Sequence, residues 1–251
     1  MNRVAVKIAY LGSEFQGSQI QPGVKTVGGS ILEDLRKILP DEDFDLKLAG
    51  RTDKGVNALG NVAVFSTSMD PEKIVKALNA VSSDVFYRSF ATVNENFNPR
   101  HASERVYRYM IDTEGLDAEL MRECSELFEG EHDFKRFCKN DERSTVVNMR
   151  SVTVNGNIIE FRADHFLWNM IRRIVSAIVS VASGKSSLSD VRDALNGRNI
   201  SFGVARGDAL TLTDVIYEGI EFTSAHENDE RVREELFKLS LTSAFYKELN
   251  K

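Results

Sequence analysis

The feature that most restricts the fold is an order of hydrophobic periodicities that runs through the chain twice. Val4, Val6 and Ile8 alternate with Arg3 and Lys7, the period of a half-buried strand. Thr26 then precedes Ile31, Leu32, Leu35 and Leu39, which form one stripe of a helix. Two extended stretches, 44–49 and 61–65, lead to a helix opened by Pro71, where the missing N–H does no harm, and then to a strand over 85–93. The second pass has a Tyr-rich strand at 105–111, an acidic helix at 120–128, a hairpin pairing 146–154 with 158–163, a helix over 168–182 and a closing strand at 210–220. Asn155-Gly156 between the hairpin strands is a strong turn signal, and 188–195 adds one more helix. Each pass reads β-α-β-β-α-β, the split βαβ order. The expected class is therefore α+β, with two such halves contributing about eight mostly antiparallel strands. Helices on one face leave the other face, or the seam, for a ligand. The halves are residues 1–101 and 102–222, and 223–251 forms a helical extension.

Composition narrows the class further. The 251 residues are 42% hydrophobic and 28% charged, with 4 Pro and 16 Gly, which supports a core and argues against a disordered or collagen-like chain. The longest near-continuous apolar run, 174–182, is about half of the roughly 20 residues that a membrane span needs. No apolar stretch follows a basic N-terminus, so a cytoplasmic, globular protein without a membrane partner is expected. Net charge is −6 but unevenly spread: residues 135–206 carry 12 Lys/Arg against 6 Asp/Glu, and 112–133 carry 1 against 9. Screening over about 8 Å makes the local patch matter more than the total, so the acidic balance does not exclude a nucleic acid. On charge alone, the basic stretch is equally an ordinary mixed surface.

Three stretches carry candidate chemistry. Ala49-Gly50-Arg51-Thr52-Asp53-Lys54-Gly55-Val56-Asn57-Ala58-Leu59-Gly60 spaces three glycines five residues apart between strands. In extended backbone Arg51 and Asp53 project to the same side, and a cation that near holds a carboxylate ionised, as a nucleophile or cation stabiliser requires. The plain alternative is a glycine-rich connection with solvated charges. Residues 97–109 pack Arg100, Arg105, Arg108, His101, Tyr107 and Tyr109 into one segment, which suits phosphate contact with base stacking, or else aromatic cross-strand pairing. In 166–175, Arg172 sits near a helix N-terminus that disfavours it, so an anionic partner is expected; Asp164 is one candidate. Gly184-Lys185-Ser186 echoes a P-loop, but Val179 stands where its first glycine belongs. The four His and two Cys lack zinc spacing, and neither a metal nor a cofactor is expected.

These stretches together resemble the TruA family of tRNA pseudouridine synthases. AGRTDKGVNALG at 49–60 matches the family signature, and FNPRHAS with Tyr107-Arg108-Tyr109, HDF at 132–134, FLWNMIR at 166–172 and the Ala205 to Leu212 segment follow in the family's order. The resemblance covers roughly residues 3–220. It implies the pseudouridine synthase fold with a basic cleft, and an isomerase that converts uridine to pseudouridine in the anticodon stem-loop of tRNA, at positions 38–40. By position, Asp53 is the catalytic aspartate, Arg51 takes the place of the displaced base, Tyr107 stacks on the extruded uracil and Arg172 pairs with Asp53. Arg100 and Arg105 are the further substrate-binding candidates, and a homodimer is implied. Ser18 replaces a Trp, Lys54 an Ala, Asn57 a His, and Trp168-Asn169 stands where His-His can occur. Two other classes compete. Tandem RNA-recognition modules would need an RNP1-like segment, which is absent; a small-molecule enzyme using Asp53 leaves the Arg/Tyr segment without a task.

Overall fold

The computed structural model describes residues 1–139 and 144–225; the helical extension expected over 223–251 lies outside them apart from its first three residues. The chain runs β1 (Asn2–Tyr10), α1 (Val27–Ile38), β2 (Lys47–Leu48), β3 (Asn57–Thr67), α2 (Pro71–Val81), β4 (Phe86–Val93), then β5 (Glu104–Met110), α3 (Ala118–Glu126), β6 (Gly130–Asp133), β7 (Val146–Asn155), β8 (Ile158–Ala163), α4 (Met170–Ala182), α5 (Leu188–Leu195), β9 (Leu210–Ile216) and β10 (Thr223–Ser224). Helix starts follow local chemistry. Thr26 accepts from the N–H of Gly29 at α1, Asp70 from Lys73 at α2 with Pro71 behind it, and Ser187 and Asp190 form a capping box at α5.

All the strands join one sheet in the order β10-β4-β1-β3-β9-β5-β8-β7-β6, with β2 also on β3. Within it the duplication is explicit. The first half has the order β4-β1-β3-β2 and the second β9-β5-β8-β7, the same arrangement of first, second, third and fourth strands. The sheet has ten strands where eight were expected, because β6 and the two-residue β10 are short, polar edge strands with no alternating pattern to reveal them. The hairpin is also one residue displaced from its expected turn. Asn155 pairs with Ile158, so the turn is Gly156-Asn157, with Gly156 at φ 58 in the first central position that a type II′ turn reserves for glycine.

The strands of the two halves join where β3 runs parallel to β9, through Asn57↔Thr211 and Ala58↔Leu212; every other strand pairing is antiparallel. Strand β3 shares its outer edge, giving Ala63 and Val64 to β2 and its first two residues to β9. Extra residues enter β4 at Arg88, β3 beside Leu59-Gly60 and β9 at Thr213, so three neighbouring registers slip near the junction. Gly60 is part of this seam: a Cβ there would lie 2.5 Å from the Thr213 carbonyl oxygen and 3.0 Å from Asp214 Cα. Both obstacles are backbone and cannot swing aside. Gly60→Ala is expected to cost about 1–3 kcal/mol, read as a lower denaturation midpoint, because β9 must be pushed from β3.

Directly paired residues share a sheet face, and that rule locates the helices. Ile8, Asn61 and Tyr87 lie on one face, where the Tyr87 hydroxyl reaches Asp34 of α1. Through Ala58↔Leu212 and Leu212↔Tyr107 the same face continues into the second half. The gap between the helices of the two halves therefore opens onto the middle of the sheet. Helix α4 begins two residues later than expected, at Met170, because Asn169 adopts a left-handed φ of 62 that no helical residue can hold.

Candidate active site

The glycine-spaced stretch lies across this gap. Thr52 is buried while Arg51 is exposed and Asp53 half-buried, so the backbone alternates as extended geometry dictates and both charged side chains line one cavity of about 640 Å³. Gly55, at φ 84, makes the turn back toward β3. Three buried polar side chains clamp the stretch from beneath. The Asn61 amide accepts from Gly50 N–H at 3.0 Å and donates to Gly50 C=O at 3.0 Å and to the Tyr10 hydroxyl at 3.2 Å. Tyr10 lies 2.9 Å from the Thr52 hydroxyl. Ser18 Oγ accepts from the Thr52 N–H at 2.8 Å, and the Ser18 N–H donates to the Thr52 carbonyl at 3.0 Å.

From the other half comes Arg172, on the first turn of α4. Its Nη1 stands 3.6 Å from Asp53 Oδ2. This is an ion pair without a direct hydrogen bond. Among the described residues nothing donates to the Asp53 carboxylate, which leaves it open to the cavity. Arg172 is held independently by Nε to the Ala205 carbonyl at 2.7 Å and by Nη1 to Asn169 Oδ1 at 3.2 Å. The alternative partner Asp164 instead binds the His165 ring at 2.9 Å.

Tyr107 forms one wall, its ring edge-on to Phe166 with centroids 5.1 Å apart. Burial pushes the Tyr107 phenol far above its ordinary range, with Tyr10 and Asp53 adding to the effect and Arg105 opposing it, so it stays a neutral ring at working pH. Arg105 also borders the cavity, but its guanidinium is spent on the backbone carbonyls of Asp164, of Arg100 at 2.9 Å and of Ala49 at 3.3 Å. It ties the 97–105 segment to the glycine-spaced stretch. Arg51 and Arg100 are exposed at the rim, and among the described residues their guanidinium groups have no partner.

Five Lys or Arg side chains line the cavity against one carboxylate, which makes it a site for an anionic ligand. Only Arg172 among them comes from the basic stretch 135–206; Arg150, Arg162 and Arg198 are paired with carboxylates elsewhere. Among the described residues no cluster of His, Cys, Asp and Glu could hold a metal, and no helix is long and apolar enough to cross a membrane.

Comparison with known proteins identifies the family of the chain. A family model described as tRNA pseudouridine synthase matches residues 125–218. The tRNA pseudouridine synthase A of Pyrococcus furiosus is 38% identical over 98% of this chain and 97% of its own length. That of Pyrococcus horikoshii is 40% identical over 94% and 93%, and that of Methanosarcina mazei 39% over 84% and 82%. The chain belongs to the tRNA pseudouridine synthase A family. Among solved structures, a chain of a Cbf5-Nop10-Gar1 complex aligns over 70% of this chain and 44% of its own with a TM-score of 0.35 and 14% identity, too slight a likeness to carry an argument.

As a member of this pseudouridine synthase family, the chain brings Arg51, Asp53, Tyr107 and Arg172 of the sequence motifs to one cavity, with Arg100 and Arg105 at its border. Sequence reasoning did not find the support beneath them. Tyr10, Asn61 and Thr52 are single polar residues inside strand or loop patterns, and no spacing marks them as partners. Ser18 was visible only as a departure from the family's Trp, and it proves to be a buried latch on the loop.

Proposed function

We propose that the protein isomerises uridine to pseudouridine in the anticodon stem-loop of tRNA, with the Asp53 carboxylate as the reacting group. The observation that carries this reading is the unbonded Asp53 carboxylate 3.6 Å from Arg172, in a cationic cavity walled by Tyr107. The reaction breaks the bond from uracil N1 to ribose C1′, turns the base and joins C5 to C1′; the proton lost from C5 is balanced by one gained at N1. Nothing is oxidised or reduced. Asp53 serves the step at the sugar, either by attack on C1′ or by taking the C2′ proton. Tyr107 stacks on the detached uracil and keeps it from leaving, Arg51 enters the space the base vacates, and Arg100 meets a phosphate. Extruding a base costs a few kcal/mol, and one aromatic stack returns about 1–3 kcal/mol of it. Arg105 acts in this reading by fixing the segment that bears Arg100.

The test is incubation with unmodified tRNA and mapping of pseudouridine, beside tRNA carrying cytidine at positions 38–40. Product confined to the first substrate is expected, and binding should weaken steeply as salt rises. Product at other uridines would move the target away from the anticodon arm. Binding without isomerisation would leave an RNA-binding module. The homodimer implied by the family resemblance belongs to the same reading and is checked by light scattering.

A further inference from the structure

The cavity rim carries one large side chain that the assignments above leave without a task. Trp168 is the only tryptophan in the chain, and 49% of it is exposed, although a ring of this size is normally well covered. Its position is imposed by its neighbours. Asn169, at φ 62, turns the chain sharply before α4, and the Trp168 carbonyl accepts from the Lys139 N–H at 2.8 Å. The Lys139 ammonium sits 3.8 Å from the ring centroid. The fold thus presents an open indole with a cation upon it, on the border of the cavity that holds Arg51, Asp53 and Arg172.

A lone ring between cations gives a protein partner little apolar area. To an unpaired base it gives a stacking surface, with charge at hand for the phosphate that follows. We propose that Trp168 stacks on an unpaired base next to the uridine that enters the cavity, and that Lys139 lies against the phosphate of that nucleotide. The inference rests on the tRNA reading above and adds a second aromatic contact to it, at the rim of the cavity.

Because Trp168 is the sole tryptophan, emission excited at the red edge of the indole band, where the six tyrosines do not absorb, reports on this ring. In the Asp53→Asn variant, which holds substrate unreacted, unmodified tRNA should quench the emission and a fully duplex RNA should not. Trp168→Ala should raise KM by about 10-fold or more with a smaller change in kcat, and Trp168→Phe should recover most of that loss. The inference is overturned if wild type binds and isomerises tRNA while emission stays constant, or while Trp168→Ala keeps the wild-type KM. If a mobility shift finds no tRNA bound at all, the tRNA reading fails first and this contact fails with it.

Discussion

Replacing Asp53 with asparagine is expected to lower the rate of pseudouridine formation by on the order of 10⁴-fold, while tRNA binding is unchanged or tighter. The two halves of this expectation have separate causes. Asparagine matches the shape of the carboxylate, and Arg172 stays in place because the Ala205 carbonyl and Asn169 hold it without help from Asp53. The fold and the cavity therefore persist. What disappears is the one negative charge among five cations, which removes the reacting group and also a repulsion toward RNA phosphates. Single-turnover assays with the product mapped, run beside a mobility shift, separate the effects. Wild-type turnover in the variant would remove Asp53 from the chemistry and leave the cavity without a reacting group.

Asn61→Leu is expected to be nearly as damaging by a different route. The amide is fully buried and engages both polar groups of Gly50, the Tyr10 hydroxyl and, at 2.9 Å, the N–H of Val62. Leucine fills a similar volume but strands the Gly50 N–H and leaves its C=O only the long 3.5 Å contact from Ser18 Oγ, each costing about 1–3 kcal/mol, for a total of roughly 2–6 kcal/mol. Arg51 and Asp53 follow Gly50 directly in the chain, so their placement loosens. A displacement near 1 Å costs about 100-fold in rate, which should fall on kcat and spare KM. Denaturation midpoints and single-turnover rates provide the two readouts. A destabilised protein with normal kcat would show that Ser18 and Thr52 alone suffice to position the loop.

Legibility in the sequence followed the range of the interaction. The duplicated strand and helix order was readable because periodicity is local, and so was the charged loop, since Arg51 and Asp53 alternate around Thr52 whatever surrounds them. The family resemblance supplied Arg172 as the partner of Asp53. The residues alone left Asp164 equally placed, because the choice depends on how α4 meets a loop 119 positions earlier. Local charge density said little about the cavity: of the described Lys and Arg side chains in 135–206 only Arg172 lines it, beside uncharged neighbours such as Phe166 and Trp168, while Arg150, Arg162 and Arg198 pair with carboxylates. The start of α4 was misplaced because a left-handed asparagine leaves no trace in hydrophobic spacing. The clamp of Tyr10, Ser18 and Asn61 was invisible for a related reason. Each is a common residue, and only the folded sheet brings the three together.

The parallel contact between β3 and β9 has two rungs, and Asp53, the proposed reacting group, and its partner Arg172 stand on opposite sides of it. The carboxylate is fastened to the first half by its clamp, and the guanidinium to the second by α4. A change in the angle at which the halves meet opens or shuts the distance between them like the jaws of a caliper. The register slips at that joint thus set the gauge of the instrument, and substitutions there should be felt at Asp53 although none of them touches it.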